Sequence, residues 1–144
     1  MSRDPDLYGT DEVVTHLLRD TDVWAVVGLS SNEDRASYGV ARVLQSRGKR
    51  IVPVHPRAQA VHGEPGYATV QDAVFALGPV DVVDCFVNSR RVGEIVDAAI
   101  AVGARGVWLQ LGVVDEAAAR RARDAGLDVV MDRCPAIEWR HGLG

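Results

Sequence analysis

Five stretches of the chain are almost continuously apolar and too short for helices: Val23 to Gly28 (VWAVVG), Arg50 to Val54 (RIVPV), Val80 to Val87 (VDVVDCFV), Gly106 to Leu111 (GVWLQL) and Leu127 to Met131 (LDVVM). A strand with one wet face alternates apolar and polar residues, whereas a strand covered on both faces reads as an unbroken apolar run. The pattern predicts five buried strands of a mainly parallel sheet. Between them the spacing becomes helical. Tyr38, Ala41, Val43 and Leu44 follow Ser37 as a cap and stop at Gly48, and Val92, Ile95, Val96, Ala99 and Ile100 follow Ser89 and stop at Gly103. Asp115 caps EAAARRARDAG up to Gly126, Val70 to Leu77 adds a short helix, and Thr10 to Asp20 a leading one with Val13, Val14, Leu17 and Leu18 on one side.

Strands alternating with helices of this length require crossover connections that lay the helices on the sheet. The expected fold is α/β: a Rossmann-like, doubly wound, mainly parallel five-stranded sheet with helices on both faces. With 144 residues and no linker, repeat or low-complexity tract, the chain is expected to form a single domain over 1–144, with a leading helix in 1–21 and the core in 22–139.

Composition narrows the function. Hydrophobic residues make up 47% and charged residues 25%, which is ordinary globular usage. Sixteen Lys plus Arg against twenty Asp plus Glu leave a net charge of -4, so no broad field would gather nucleic acid or an anionic membrane, and any anion site must be local. Met1 to Leu7 lack the basic start and apolar core of a signal peptide, and no apolar run approaches the roughly 20 residues of a membrane span. A soluble, cytoplasmic protein is expected. Cys85 and Cys134 form no CxxC pair and have no His at ligand spacing, so no metal site is expected.

In open sheets of this kind ligands bind beyond the carboxyl ends of the strands. The loop after the first strand, Gly28-Leu29-Ser30-Ser31-Asn32-Glu33-Asp34-Arg35-Ala36-Ser37-Tyr38, combines a glycine for close approach, hydroxyls at Ser30, Ser31 and Ser37, the guanidinium of Arg35 and a helix start. These features suit a phosphate; they also suit a plain turn and cap, and the full GxGxxG fingerprint is absent. After the second strand an NAD site of the familiar kind wants an acid, but Pro53-Val54-His55-Pro56-Arg57 supplies none. A base there suits a phosphorylated ribose, as in NADP or coenzyme A, and the prolines offer a rigid apolar wall; a solvated surface Arg is the plain alternative. Phe86, Val87 and Arg90 follow the third strand, with Phe86 equally suited to the core. Gln110, between Leu109 and Leu111, must find partners, facing either the cleft or a neighbouring loop backbone. Asp132 and Arg133 are expected to pair at the C-terminal turn, with Cys134 packed as a small apolar group.

The succession VVGLSSNEDRASYGVARVLQSRG, IVPVHP, GEPGY, VDVVDCFV, WLQLGV and VVMDRCPAIEW resembles the small stand-alone bacterial and archaeal CoA-binding proteins. Their domain is similar to the CoA-binding domain of the succinyl-CoA synthetase α subunit and of NDP-forming acyl-CoA synthetases. The resemblance spans about Asp22 to Trp139 and implies coenzyme A as the ligand. It implies that the Gly28 to Ser30 turn, with Ser37 and Tyr38, cradles the diphosphate, and that Pro53 to Arg57 line the adenosine with Arg57 at its 3′-phosphate. It implies that Phe86, Val87 and the start of the next helix close the other side. The chain departs from the family motif at His55, where Asn is usual, and at Arg57, where Lys is common.

The resemblance also implies no catalysis by this chain alone, since succinyl-CoA synthetase places its phosphorylated His in a separate ligase domain. His16, His55, His62 and His141 lack an evident carboxylate orienter. The expected role is a non-catalytic carrier, sensor or regulator that binds CoA or an acyl-CoA, and a homodimer or an acyl-CoA synthetase-type partner fits it. Two other readings stay open: an NADP-dependent oxidoreductase, and an interaction subunit of an acyl-CoA synthetase.

Overall fold

In the computed structural model, which describes residues 3–144, the five apolar runs form β1 (Val23–Val27), β2 (Arg50–Val54), β3 (Val82–Cys85), β4 (Gly106–Leu109) and β5 (Asp128–Val130). They pair in the order β2-β1-β3-β4-β5, and every pairing is parallel. All five carboxyl ends therefore share one edge. The order reverses between β1 and β3, so the loops leaving these two strands diverge and open a crevice between them.

Around the sheet lie α1 (Pro5–Tyr8), α2 (Asp11–Arg19), α3 (Ala36–Ser46), α4 (Val70–Leu77), α5 (Val92–Ala101), α6 (Glu116–Asp124) and α7 (Pro135–Arg140). Because side chains alternate across a strand, each strand feeds two cores. Ala25, Val27, Val83, Cys85, Val107 and Leu109 pack against α1, α4, α5 and α6. On the other side Trp24, Val26, Ile51, Val82, Trp108 and Val130 pack against α2, α3 and α7. Trp24 and Trp108 meet there with ring centroids 5.7 Å apart, and their Nε1–H groups donate to Thr21 Oγ1 at 2.8 Å and the Arg133 carbonyl at 2.9 Å. Among the described residues no helix is long and apolar enough to cross a membrane.

Several expected details change. The third strand, Val82–Cys85, is shorter than Val80 to Val87; just before it the Asp81 carboxylate accepts from the N–H groups of Asp22 at 2.8 Å and Val23 at 3.0 Å. Ser37 and Ser89 do not cap their helices; Arg35 and Arg91 occupy the cap positions. Arg133 pairs with Glu138 at 3.3 Å rather than with Asp132, and donates to the carbonyls of Tyr8 and Gly9, fastening α7 to α1. Asp132 instead binds Arg3 at 2.6 Å and the Gly112 N–H at 2.7 Å, and these two donors hold its carboxyl below the ordinary range. Trp139 is buried in α7.

Candidate functional site

The loops leaving β1 and β2 enclose a hollow of about 320 Å³ lined by Gly28, Ser30, Ser31, Asn32, Arg35, His55, Arg57 and Gln59. Short polar side chains build the first loop by bonding their own backbone: Ser30 Oγ accepts from Asn32 N–H at 3.3 Å, and Asn32 Oδ1 from Asp34 N–H at 3.0 Å. In the second loop His55 Nδ1 accepts from Arg57 N–H at 3.1 Å. Ser31 Oγ donates to Gln59 Oε1 at 3.1 Å and joins the two loops. Two guanidiniums and no carboxylate line this hollow.

A second hollow of about 390 Å³ lies over the ends of β1, β3 and β4 and is lined by Gly28, Asp34, Arg35, Ala36, Ser37, Phe86, Val87, Asn88, Gln110, Leu111 and Val113. The two hollows share Gly28 and Arg35 and so meet at the exit of β1. The first N–H groups of a helix have no acceptor within it. In α3 these belong to Ala36 and Ser37, both on the wall of the second hollow, where the positive end of the helix dipole favours an anion. Ser37 Oγ donates to the Gly28 carbonyl at 3.2 Å, which ties the helix start to the end of β1.

The loop after β4 forms the far wall and is held from two sides. Ser89 Oγ donates to the Gly112 carbonyl at 3.3 Å and accepts from Val114 N–H at 2.9 Å. Asp132, with φ 58° in the left-handed region, reaches Gly112 from the end of β5.

Of the candidate residues, Gly28, Ser30, Ser31, Arg35, Ser37, His55, Arg57, Phe86, Val87 and Gln110 line one hollow or both. Five others do not. Leu29 is fully buried among α2 and α3 side chains, and Pro53 is a buried strand residue of β2. The Tyr38 ring packs on His62 at 4.2 Å between centroids, held by a hydrogen bond of 2.8 Å between His62 Nε2 and the Tyr38 carbonyl. Pro56 and Arg90 are exposed and lie outside both hollows.

Sequence reading missed Asn32 and Gln59 in the first hollow, Asp34, Ala36, Asn88, Leu111 and Val113 in the second, and above all Asp84. This aspartate is fully buried in β3, and its Oδ1 accepts from Gln110 Nε2 at 2.9 Å. Gln110 thus faces the cleft, one of its two expected placements, while its amide also reaches a side chain rather than a loop backbone. Burial pushes the Asp84 carboxyl up to about 7, against a smaller opposing effect of the Gln110 bond. The available signal was an acid inside an otherwise apolar run.

A reversal of strand order with an anion-friendly crevice at the first β–α turn defines the class: a Rossmann-like α/β domain. Residues 22–140 match the family model described as a CoA binding domain, and the chain belongs to that family. A relative is the uncharacterized protein YneT of Bacillus subtilis (strain 168), 32% identical over 110 residues that cover 76% of this chain and 79% of YneT. Among solved structures, a hypothetical protein from Pyrococcus horikoshii OT3 superposes with a TM-score of 0.88 at 32% identity and covers both chains completely. The PH1109 protein redesigned for binding also superposes at 0.88, with 34% identity, 97% of this chain and 96% of that one. The dinucleotide forming acetyl-coenzyme A synthetase 1 of Ca. Korarchaeum cryptofilum shares the fold, with a TM-score of 0.68 at 23% identity over 83% of this chain and 28% of its own length.

Proposed function

We propose that the protein binds coenzyme A or an acyl-CoA across the two hollows and retains it without turnover, as a carrier, sensor or regulatory module. One observation carries this reading. In a chain of net charge -4, the first hollow gathers Arg35 and Arg57 with hydroxyls and amides and admits no carboxylate. Such a set fits clustered phosphates, because charge-assisted hydrogen bonds from a guanidinium are about twice as strong as neutral ones.

In this reading the Gly28–Ser31 turn and the start of α3 hold the diphosphate, and Arg57 takes the ribose 3′-phosphate. The exit of β2 favours this ligand over NAD, since His55, Pro56 and Arg57 stand where an acid would receive the ribose hydroxyls. The second hollow, with Phe86, Val87, Leu111 and Val113 around Gln110, suits the pantetheine arm, which is largely apolar with interspersed amides. Bound coenzyme A supplies a thiol or thioester; the lining groups retain and orient it. His55, with Nδ1 engaged by Arg57 N–H, shapes the loop.

Native mass spectrometry of the purified chain, followed by calorimetric titration, tests the proposal. The expected result is micromolar or tighter binding of CoA, with acetyl-CoA recovered intact after incubation. Saturable binding of NADPH and none of CoA would overturn it in favour of an oxidoreductase.

A further inference from the structure

Asp84 is anomalous among the described residues, whose other buried side-chain polar atoms are satisfied. Among the described residues, its Oδ2 is the sole buried side-chain oxygen or nitrogen without a hydrogen-bond partner. It lies in β3, in register with Val26 of β1 and Trp108 of β4, on the sheet face that packs α2, α3 and α7. Burying a carboxyl with a lone oxygen unpaired costs stability, and an apolar side chain would fill the same place without that cost. Packing does not explain it.

Its single partner does. Gln110 is 5% exposed and lines the second hollow, and its Nε2 donates to Asp84 Oδ1 at 2.9 Å. A side-chain amide has a donor end and an acceptor end, and unaided the two are nearly interchangeable. Above about pH 7, where Asp84 is ionised, its carboxylate only accepts, so it takes the donor end and fixes which way the amide faces. The carbonyl end then lies away from Asp84. Gln110 itself lines the second hollow, and its Oε1 is not among the sealed, partnerless side-chain atoms of the described residues.

We infer that Asp84 is a positioning residue that locks the Gln110 amide with its carbonyl oxygen toward the second hollow, where it accepts a hydrogen bond from an amide N–H of the ligand. On the reading that the ligand is coenzyme A, which this inference requires, the amide N–H groups of the pantetheine arm are the matching donors. The device confers selectivity. Adenosine nucleotides without an amide-bearing arm gain nothing from Gln110, while an acyl-CoA keeps the same amides as CoA.

The test is calorimetric titration of the full chain at pH 8 with CoA and with adenosine 3′,5′-bisphosphate, which carries the phosphorylated ribose but no arm. Asp84→Leu and Gln110→Met are each expected to weaken CoA about five- to tenfold, the worth of one net hydrogen bond. Both should leave the bisphosphate within about twofold, and Asp84→Leu should melt no lower than the parent. That combination separates positioning from a structural role, which would move stability and both ligands together. If Asp84→Leu does not fold, Gln110→Met decides alone. CoA affinity unchanged in Gln110→Met, or equal losses for both ligands, would overturn the inference while leaving the coenzyme A reading intact. Failure of the parent chain to bind CoA at all would remove that reading, and this inference with it.

Discussion

Gly28 passes so close to Phe86 that a Cβ on Gly28 would stand 2.7 Å from the Phe86 carbonyl oxygen. Its φ of 95° also lies where L side chains are strained. The contact brings the exits of β1 and β3 together at the point where the two hollows meet. Gly28→Ala is expected to lose at least about 2 kcal/mol of stability, combining backbone strain with a clash against main chain. Urea denaturation checks this, and an unchanged midpoint would show that the crossing is looser than described.

Arg57 is expected to read the ribose phosphate. Arg57→Glu should weaken CoA by at least about tenfold, in keeping with loss of a charge-assisted bond and introduction of repulsion. Dephospho-CoA, which lacks that phosphate, should bind parent and variant within about threefold of each other, since one surface charge acts weakly across solvent. Equal losses for the two ligands would move Arg57 away from the ribose.

Asp84 gives stability a distinctive pH dependence. Its carboxyl titrates near 7 when folded and near the ordinary 3.8 when unfolded, so the folded state holds the proton more tightly. Between these values the unfolded chain is ionised and the folded chain is not, and stability falls as pH rises. Above about pH 7 the full penalty is present, on the order of 4 kcal/mol. Asp84→Asn removes the charge, so its stability relative to the parent should rise between pH 5 and pH 8 in urea titrations. A constant difference across that range would mean the carboxyl is better solvated than its position implies.

Ser89 ties two walls of the second hollow through one hydroxyl. Ser89→Ala strands the part-buried Val114 N–H and should cost about 1 kcal/mol. Hydrogen exchange should rise at Val114 with little change in β3 or β4.

The sheet was largely legible because burial on both faces writes itself as uninterrupted apolar runs, as in VWAVVG and RIVPV. Helices α1 and α7 were not, since four and six residues opening on Pro5 and Pro135 are too short to show a helical period. The polar rim could be named from the loops at Gly28 and His55, because both are contiguous in sequence. Leu29 and Tyr38 share that stretch but turn inward, one into the core and the other onto His62, and loop composition does not record direction. Asp84 and Gln110 meet only through the registers Asp84↔Trp108 and Cys85↔Leu109 of β3 and β4. Neither residue's neighbours in the chain announce the other.

The lining of the first hollow comes from two brief segments, Gly28–Arg35 and His55–Gln59, each hung from the end of a strand. Apart from Gly28, whose N–H donates to the Val54 carbonyl at 2.8 Å, neither contributes a rung to the ladder joining β1 to β2. The rim is therefore separable from its scaffold: exchanging those two cassettes between homologous sheets should transplant ligand preference while the frame beneath is left alone.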